Sequence, residues 1–599
     1  MSDSRWMARI LCALVLFLVP LNATAMNVEI NVIGAREELS DRLRNASLVI
    51  EAAAKEDATA QDVLAAARAD YLRLIEVLYD EGHYGGVINI LVDGREAADI
   101  SALAGPPKIN NVRLRIEPGP LFRFSQADIG PLVNNTAPVD GYAVGEAARA
   151  GVIRRAARDA VTTWREVGHA KAQVDEQRIA ADHARDAVLS DIRIAPGPRL
   201  RFGELTVPEG ESRVRPTRVR AIAGLPTGQI YAPEDLQEAE QRLRRTGAFR
   251  SVVLEEADAP TSGDRLDFSA ALTDAKPRRV GAGIELSSLE GLTLSGFWLH
   301  RNLLGGAERL RFDFEVGGIG GNSGGIDYVL GGRYERPATF TPDTSLFLNF
   351  NIQELDEPEF RERSIRVGGG VMHRFNDNLI GETGIAYQYS EIDDDLGSRS
   401  LEHLLFPANL THDDRDDPLD ATDGWYVRLE GTPFISPDTD KIGSRIYADA
   451  RSYVGLGEEN RFVVAGRLQL GSVSGADLSE VPPDMLFFSG GAGTVRGHSY
   501  QSLAIDLGGG NRIGGRSFLA LSSELRTRIT DVWSVVAFAD TGFVGQDSWG
   551  TENGDWHSGA GLGARYDTGI GPIRVDLATP LDGDAGQDFE LYIGIGQAF

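Results

Sequence analysis

Two periodicities divide the sequence. Up to about residue 277, apolar side chains recur at helical spacing: Leu72, Ile75, Val77 and Leu78, then Val152, Ile153, Ala156, Ala160 and Trp164, then Leu236, Ala239 and Leu243. Each of these runs precedes a strand-like one, at Val87 to Val92, Ala172 to Gln177 and Val252 to Glu255. From Arg278 the period becomes two. Leu310, Phe312, Phe314 and Val316 face one way, and Arg309, Arg311, Asp313 and Glu315 the other. Leu346, Leu348, Phe350 and Ile352 oppose Phe347, Asn349, Asn351 and Gln353, and Phe462, Val464, Leu468 and Leu470 oppose Arg467 and Gln469. A soluble sandwich would bury the apolar face, whereas a transmembrane barrel turns it to lipid and keeps its charge in a wet lumen.

Residues 278 to 599 number 322 and contain no convincing helical run. At roughly 20 residues per strand and turn they predict an antiparallel barrel of about 16 strands. The last strand is expected at Phe589 to Phe599, with Phe589, Leu591, Ile593, Ile595 and Phe599 alternating against Glu590, Tyr592, Gly594, Gly596 and Ala598.

The first half repeats itself. Arg115-Ile116-Glu117-Pro118-Gly119-Pro120-Leu121-Phe122-Arg123-Phe124 returns 78 residues later as Arg193-Ile194-Ala195-Pro196-Gly197-Pro198-Arg199-Leu200-Arg201-Phe202. Gly82-His83-Tyr84, Gly168-His169-Ala170 and Gly247-Ala248-Phe249 each follow a helix-like run at matching places. The spacing predicts three α+β modules of β-α-α-β-β order, at 26–107, 108–196 and 197–277, followed by an all-β barrel at 278–599. In size, order and junction the modules resemble polypeptide-transport-associated (POTRA) domains. That resemblance implies exposed sheet edges to which an extended client could add a strand.

Residues 1–25 read as a secretory leader, with Arg5 and Arg9 in the basic region, Ile10 to Val19 apolar, and Ala23-Thr24-Ala25 as the cleavage site. The apolar run of about 10 residues is short of the roughly 20 that span a bilayer as a helix. The only cysteine, Cys12, lies in this leader, so the exported chain is expected to have no disulfide and no cysteine metal site. The formal net charge is −28, distributed as −8 over 26–107, +1 over 108–277 and −22 over 278–599 after the leader's +1. Such acidity argues against nucleic acid as a partner.

POTRA-like modules followed by a barrel resemble the Omp85 superfamily, also called the bacterial surface antigen family. Val280-Gly281-Ala282-Gly283, Asn302-Leu303-Leu304-Gly305-Gly306 and Asp414-Arg415-Asp416-Asp417-Pro418-Leu419-Asp420-Ala421-Thr422-Asp423-Gly424-Trp425 carry the likeness. Its sharpest element is Gly493-Thr494-Val495-Arg496-Gly497-His498, similar to the family's VRG[FY] loop tip with histidine in the aromatic place. The resemblance implies that Val495, Arg496, Gly497 and His498 form a lumenal brace, with Arg496 pairing to Asp540, Glu524 or both. It also implies a weak lateral seam between the first strand (Val280, Gly281, Gly283) and the last (Phe589, Gly594, Gly596, Phe599), where interior glycines would weaken pairing.

Within the superfamily, three modules in a mature chain of 574 residues resemble the TamA branch. The likeness implies an outer-membrane location with periplasmic modules, insertion or secretion of autotransporter-type outer-membrane clients, the lipid bilayer as surroundings, and a TamB-like inner-membrane-anchored periplasmic partner. No cofactor, metal or catalytic residue is implied. The alternative is a two-partner-type pore that exports one dedicated polypeptide through its lumen. Enzyme signals are decoys: Gly321-Asn322-Ser323-Gly324-Gly325 matches G-x-S-x-G without a strand-to-helix elbow. His412-Asp413-Asp414 with Asp416 and Asp417 lacks EF-hand spacing and reads as a capped acidic turn.

Overall fold

The computed structural model describes residues 26–599 apart from 56–57, 102–104, 135, 288–290, 322–323, 509–510, 570 and 583–588, so the leader, Cys12, Asn322 and Ser323 lie outside the described residues. The chain forms two compact units. One runs to Phe202 and adds Gly228–Glu234 and Pro260–Leu266; the other contains the remainder, including all of the barrel.

The first unit holds two mixed sheets. In the first, the strands lie in the order Asn27–Val32, Asn111–Glu117, Val87–Val92 and Arg95–Glu96, with the edge strand Asn27–Val32 parallel to its neighbour. Helices Glu37–Ala46, Leu48–Ala53 and Ala60–Asp80 cover it. The buried stripe of the long helix is Val63, Leu64, Ala67, Asp70, Leu74 and Leu78, which recurs every three or four residues. Leu72, expected on the apolar face, falls off that stripe and is 66% exposed. Asp70 takes its place inside: it accepts from Ser47 Oγ (2.7 Å), Leu48 N (2.7 Å) and Val49 N (3.1 Å), filling the open N-terminus of the short helix.

The second sheet has the order Arg123–Gly130, Ala187–Ala195, Gln173–Asp182. Only one helix, Ala150–Glu166, is described in this module where two were expected. Residues 131–149 cannot easily continue a helix, because Pro131 and Pro138 lack N–H donors and Gly141 and Gly145 hold positive φ of 81° and 89°.

The two sequence repeats turn out to bind each other. Gly82 O accepts Phe122 N (2.9 Å) and Gly168 O accepts Leu200 N (2.8 Å). His83 Nδ1 donates to Gly119 O (3.0 Å), and His169 Nδ1 donates to Gly197 O (2.8 Å). Each Gly-His pair therefore staples itself to the Pro-Gly-Pro turn that opens the next module. Gly119 and Gly197 stand at φ of 73° and 69°, conformations that glycine adopts without strain.

The third sheet has the order Arg201–Thr206, Arg265–Asp274, Phe249–Glu256, with helices Pro216–Ala223 and Pro233–Arg245. Both helices are fixed to barrel turns within the second unit. Arg242 grips Asp343 through Nε (2.8 Å) and Nη2 (2.7 Å), and Arg218 donates to the carbonyls of Pro337 and Ala338.

The barrel is closed and antiparallel. Its seventeen strand segments are sixteen strands, because Gly397–Leu405 and Ala408–Asp413 keep one register against Leu379–Asp394 and are parted only at Phe406-Pro407. Pro407 has no N–H for the ladder, which breaks the segment without bending it away. The alternation sorts as a membrane barrel requires: Phe314, Leu348, Ile352, Val464, Leu468 and Leu521 are exposed on the outer wall, while Gln469, Glu524 and Asp540 are buried inside.

Two tyrosines of the first module offer a pH test. Burial, followed by the hydrogen bond to Glu96, pushes the Tyr71 phenol up to about 12, and burial does the same for Tyr84, whose hydroxyl donates to Ala148 O. A phenol raised above its ordinary value of 10 stabilises the fold fully below pH 10 and loses that contribution as pH rises toward 12. Tyrosinate absorbance should therefore show a component titrating near pH 12, and Tyr71→Phe and Tyr84→Phe should each remove part of it.

Candidate functional site

The site is built around the connection 475–516 between the eleventh strand, Phe462–Ser474, and the twelfth, Ser517–Arg528. The Phe487 ring anchors this segment by stacking on Phe518 at 5.5 Å. Gly490 and Gly491 hold φ of 113° and 89°, Thr494 Oγ1 accepts Gly490 N (2.8 Å), and Gly491 N donates to His498 O (3.0 Å). These bonds pinch residues 490–498 into a tight hairpin that presents Arg496, which is 2% exposed.

A guanidinium in that position needs anions, since an unpaired buried charge is prohibitively costly. Arg496 donates to Asp540 from Nε (2.7 Å), Nη2 (2.9 Å) and its own backbone N (3.1 Å), and to Glu524 from Nη1 (2.7 Å). The structure thus brings Arg496 to both candidate carboxylates. Asp576 stands 3.6 Å from Nη1, and the guanidinium carbon lies 3.7 Å over the Phe538 ring centroid. Two more arginines share these anions: Arg526 Nε donates to the second oxygen of Glu524 (2.9 Å), and Arg565 pairs with Asp576. Three arginines and three carboxylates form one buried, charge-balanced cluster.

The neighbouring loop residues press on the last strands. Gly497, at φ 96°, lies against the Thr579 backbone of the fifteenth strand, Ile573–Pro580. Its N–H donates to the hydroxyl of Tyr592 (3.1 Å) on the sixteenth strand, Glu590–Ile595. Val495 is fully buried. His498 replaces an aromatic by ring packing and hydrogen bonding together: its ring centroid is 4.4 Å from that of His557, and Nε2–H donates to Ser558 O (2.8 Å). A Cβ at Gly559 would collide with the Arg496 carbonyl, so this inward position of the fourteenth strand has to stay bare.

Sequence reasoning missed Asp576, Phe538, Arg526, Arg565, Gly559 and Tyr592. Tyr592 carried a signal, being an inward-phase tyrosine between Leu591 and Ile593; the others look like any lumenal residue until the loop is placed.

The seam residues distribute differently from expectation. Ser287 opposite Tyr592 is the register pair that joins first and last strands. By contrast, the sixth and seventh strands pair from Phe360↔Asp394 to Arg374↔Ile380. Val280, Gly281 and Gly283 lie on the first strand and Gly594 on the last, whereas Phe589, Gly596 and Phe599 fall outside a last strand that ends at Ile595. Gly596 takes φ 87° and turns the chain inward, so Phe599 is buried against Tyr453 rather than facing lipid. The seam glycines serve close packing: Gly281 leaves room for the Phe297 ring, Gly283 for Ser295 and Gly594 for Arg574. The last strand has 6 residues against 16 in the seventh.

The acidic stretch 413–424 forms the capped turn expected of it. Asp416 Oδ1 accepts Asp417 N (3.0 Å), Thr422 N (2.9 Å) and Asp423 N (3.2 Å), an acidic turn satisfied by its own backbone. Among the described residues no group of three His, Cys, Asp or Glu is placed to hold a metal.

Removing Arg496 leaves Asp540 and Glu524 buried with their main partner gone, a loss of about 3–5 kcal/mol. Arg496→Ala should lower the temperature at which the folded barrel converts to the slow-migrating unfolded form in a heat-modifiability gel. Arg496→Lys, which cannot make the bidentate contact, should fall between. Unchanged transitions in both would contradict the bracing role.

Residues 302–599 match the Omp85 superfamily domain. The chain is similar in fold to Haemophilus ducreyi BamA lacking POTRA domains 1-3, with 16% identity, 79% of this chain and 100% of that one covered, and a TM-score of 0.63. CdiB from Acinetobacter baumannii aligns at 10% identity over 80% and 90% of the two chains with a TM-score of 0.49, and CdiB from Escherichia coli at 16% over 80% and 91% with 0.45. The barrel of this chain is an Omp85 superfamily domain, which makes the protein an outer-membrane protein with periplasmic POTRA-like modules that assembles or translocates proteins and performs no enzymatic chemistry.

Proposed function

We propose that the protein inserts or secretes β-rich, autotransporter-type clients through the lateral seam, as a TamA-type assembly factor. The observation that carries this reading is the seam itself, joined through the pair Ser287 and Tyr592. Among the described residues Ser287 is the one position of the first strand with a register partner on the last, and an extended client can pair with the rest of that edge by strand addition.

Strand length adds to the argument. A membrane-spanning β-strand needs about 9–11 residues. The fifteenth and sixteenth strands have 8 and 6, so a bilayer beside them has to thin, which lowers the barrier to an inserting strand.

The POTRA-like modules would receive the client first. Module boundaries at 196/197 and 277/278 are part of the proposal, whereas the first, expected at 107/108, moves to the Pro-Gly-Pro turn at 118–120, because Asn111–Glu117 pairs within the first sheet. The edge strand Gln173–Asp182 is exposed along nearly its whole length and suits strand addition. A TamB-like periplasmic partner docking on the first module completes the reading, supported by the count of three modules. The two-partner pore fits less well, because the connection 475–516 fills lumenal space with Val495 and Arg496 fully enclosed.

The seam is tested with Ser287→Cys/Tyr592→Cys, whose residues oppose each other directly. Oxidation should abolish client assembly and reduction should restore it, with the activity of each single variant responding to neither treatment. Full activity in the oxidised double variant would eliminate lateral insertion and leave passage through the lumen.

A further inference from the structure

A second concentration of charge lies where the third module meets the barrel. A cavity of about 600 Å³ opens there, between the segment 274–278 that leads into the first strand, the end of the second strand at 300–302, and Arg213. That size falls within the roughly 300–1,000 Å³ of ordinary ligand sites. Its lining carries four cations, Arg213, Lys276, Arg278 and Arg301, against one carboxylate, Asp274. The carboxylate is already used: Oδ1 accepts Ser212 Oγ (2.6 Å), and Oδ2 accepts Arg213 N (2.9 Å) and Nε (3.2 Å). Among the described residues, the side chains of Lys276, Arg278 and Arg301 have no ion pair and no hydrogen bond. Three cations lining one cleft without an anion focus a positive field into it. They do so beside a barrel that carries −22 over residues 278–599, where acidic partners are otherwise plentiful.

The depth of this cleft in the membrane follows from strand phase. On the first strand, Arg278–Ser287, Arg278 is in phase with Val280 and Ile284, which are 73% and 77% exposed on the outer wall. Arg278 stands opposite His300, and Val280 opposite Trp298. Trp298 begins an outward aromatic row, with its ring 5.9 Å from Phe312, which in turn lies 6.2 Å from Phe350. Such a girdle marks the level where hydrocarbon gives way to headgroups. Arg278 and His300 follow two residues closer to the modules, about 7 Å along the strands, which is headgroup depth on the periplasmic side. The cavity also has apolar walls, at Ala248, Ala275 and Pro277. A small free anion would use only the cations, whereas a phosphate carried on an apolar body uses both surfaces.

We propose that this cavity binds the phosphate headgroup of an anionic phospholipid from the periplasmic leaflet, held by Lys276, Arg278 and Arg301 at the foot of the first strand. Arg213 stays with Asp274 and forms part of the wall. One ordered lipid is thereby set against the strand that opens the barrel. Occupancy of the site does not depend on how clients pass, so it stands apart from lateral insertion.

The test is native mass spectrometry of the full-length protein, stripped of lipid in a nonionic detergent and titrated with dioleoyl phosphatidylglycerol. One saturable adduct should form, and dioleoyl phosphatidylcholine, whose headgroup has no net charge, should bind at least tenfold more weakly. Lys276→Gln/Arg278→Gln removes two cations that no carboxylate depends on, and should weaken the phosphatidylglycerol adduct roughly thirtyfold. Arg155→Gln/Arg158→Gln, an equal charge change on the exposed face of the second module's helix, should leave it within about twofold. Equal binding of the two lipids, or equal losses in the two double variants, would overturn the site. Glycerol 3-phosphate is added as the headgroup without its chains; displacement of phosphatidylglycerol at equal concentration would make the ligand a free phosphate and overturn the lipid assignment. If Lys276→Gln/Arg278→Gln fails to give the native heat-modifiable band, Arg301→Gln decides alone: a loss of roughly fivefold supports the site and an unchanged affinity overturns it.

Discussion

The constraint on which the lumen depends is the burial of Arg496 among carboxylates. Taking a guanidinium and its partners out of water is costly, and the cost is met only when each charge is matched and its hydrogen bonds are made. Here Asp540 receives a two-pronged contact, Glu524 receives one arginine on each oxygen, and Asp576 is held by Arg565. No member can leave without stranding another. A loop that would otherwise wander is thereby fixed to the twelfth through fifteenth strands, and through Tyr592 to the sixteenth.

The Arg496 cluster ties its loop to the strands that lead up to the seam, from the twelfth at Glu524 to the sixteenth at Tyr592. Strands six and seven, with 15 and 16 residues, form long uninterrupted ladders. The last strand is short because Gly596 turns the chain inward, and the Arg496 hairpin reaches it at Tyr592, the residue that also meets Ser287 of the first strand. Closure of the seam and seating of the loop therefore meet at one residue. The tail beyond it is tied to the same ion cluster through Arg526 and Arg565, so loop, seam and tail are mechanically connected.

The architecture was largely legible in the residues. Period-two alternation is a direct consequence of strand geometry, so Leu348 and Phe314 revealed their outward face and Gln469 its inward one. The Pro-Gly-Pro repeat marked the module junctions, although nothing in it disclosed that His83 and His169 bond to the turns. Arg496, Glu524 and Asp540 were identifiable through the loop motif. Other features depend on three-dimensional placement that periodicity does not encode. Asp70 reads as an intrusion on an apolar helix face until the open end of a neighbouring helix lies beside it. Phe599 keeps perfect alternation with Ile595 but leaves the strand, because inward hydrogen bonds from Arg526 and the Leu419 turn outweigh the local preference. That Gly281, Gly283 and Gly594 leave room for Phe297, Ser295 and Arg574 is likewise visible only once the strands are paired.

The central claim is that the Arg496 cluster holds the last strand in its place at the seam. The most direct measurement is a spin–spin distance between labels at Ile284 on the first strand and Ile593 on the last, both outward-facing and exposed. The native protein should give a narrow distribution, and Arg496→Lys should broaden it and shift it to longer distances as the loop releases Tyr592. An identical narrow distribution in both proteins would contradict the account.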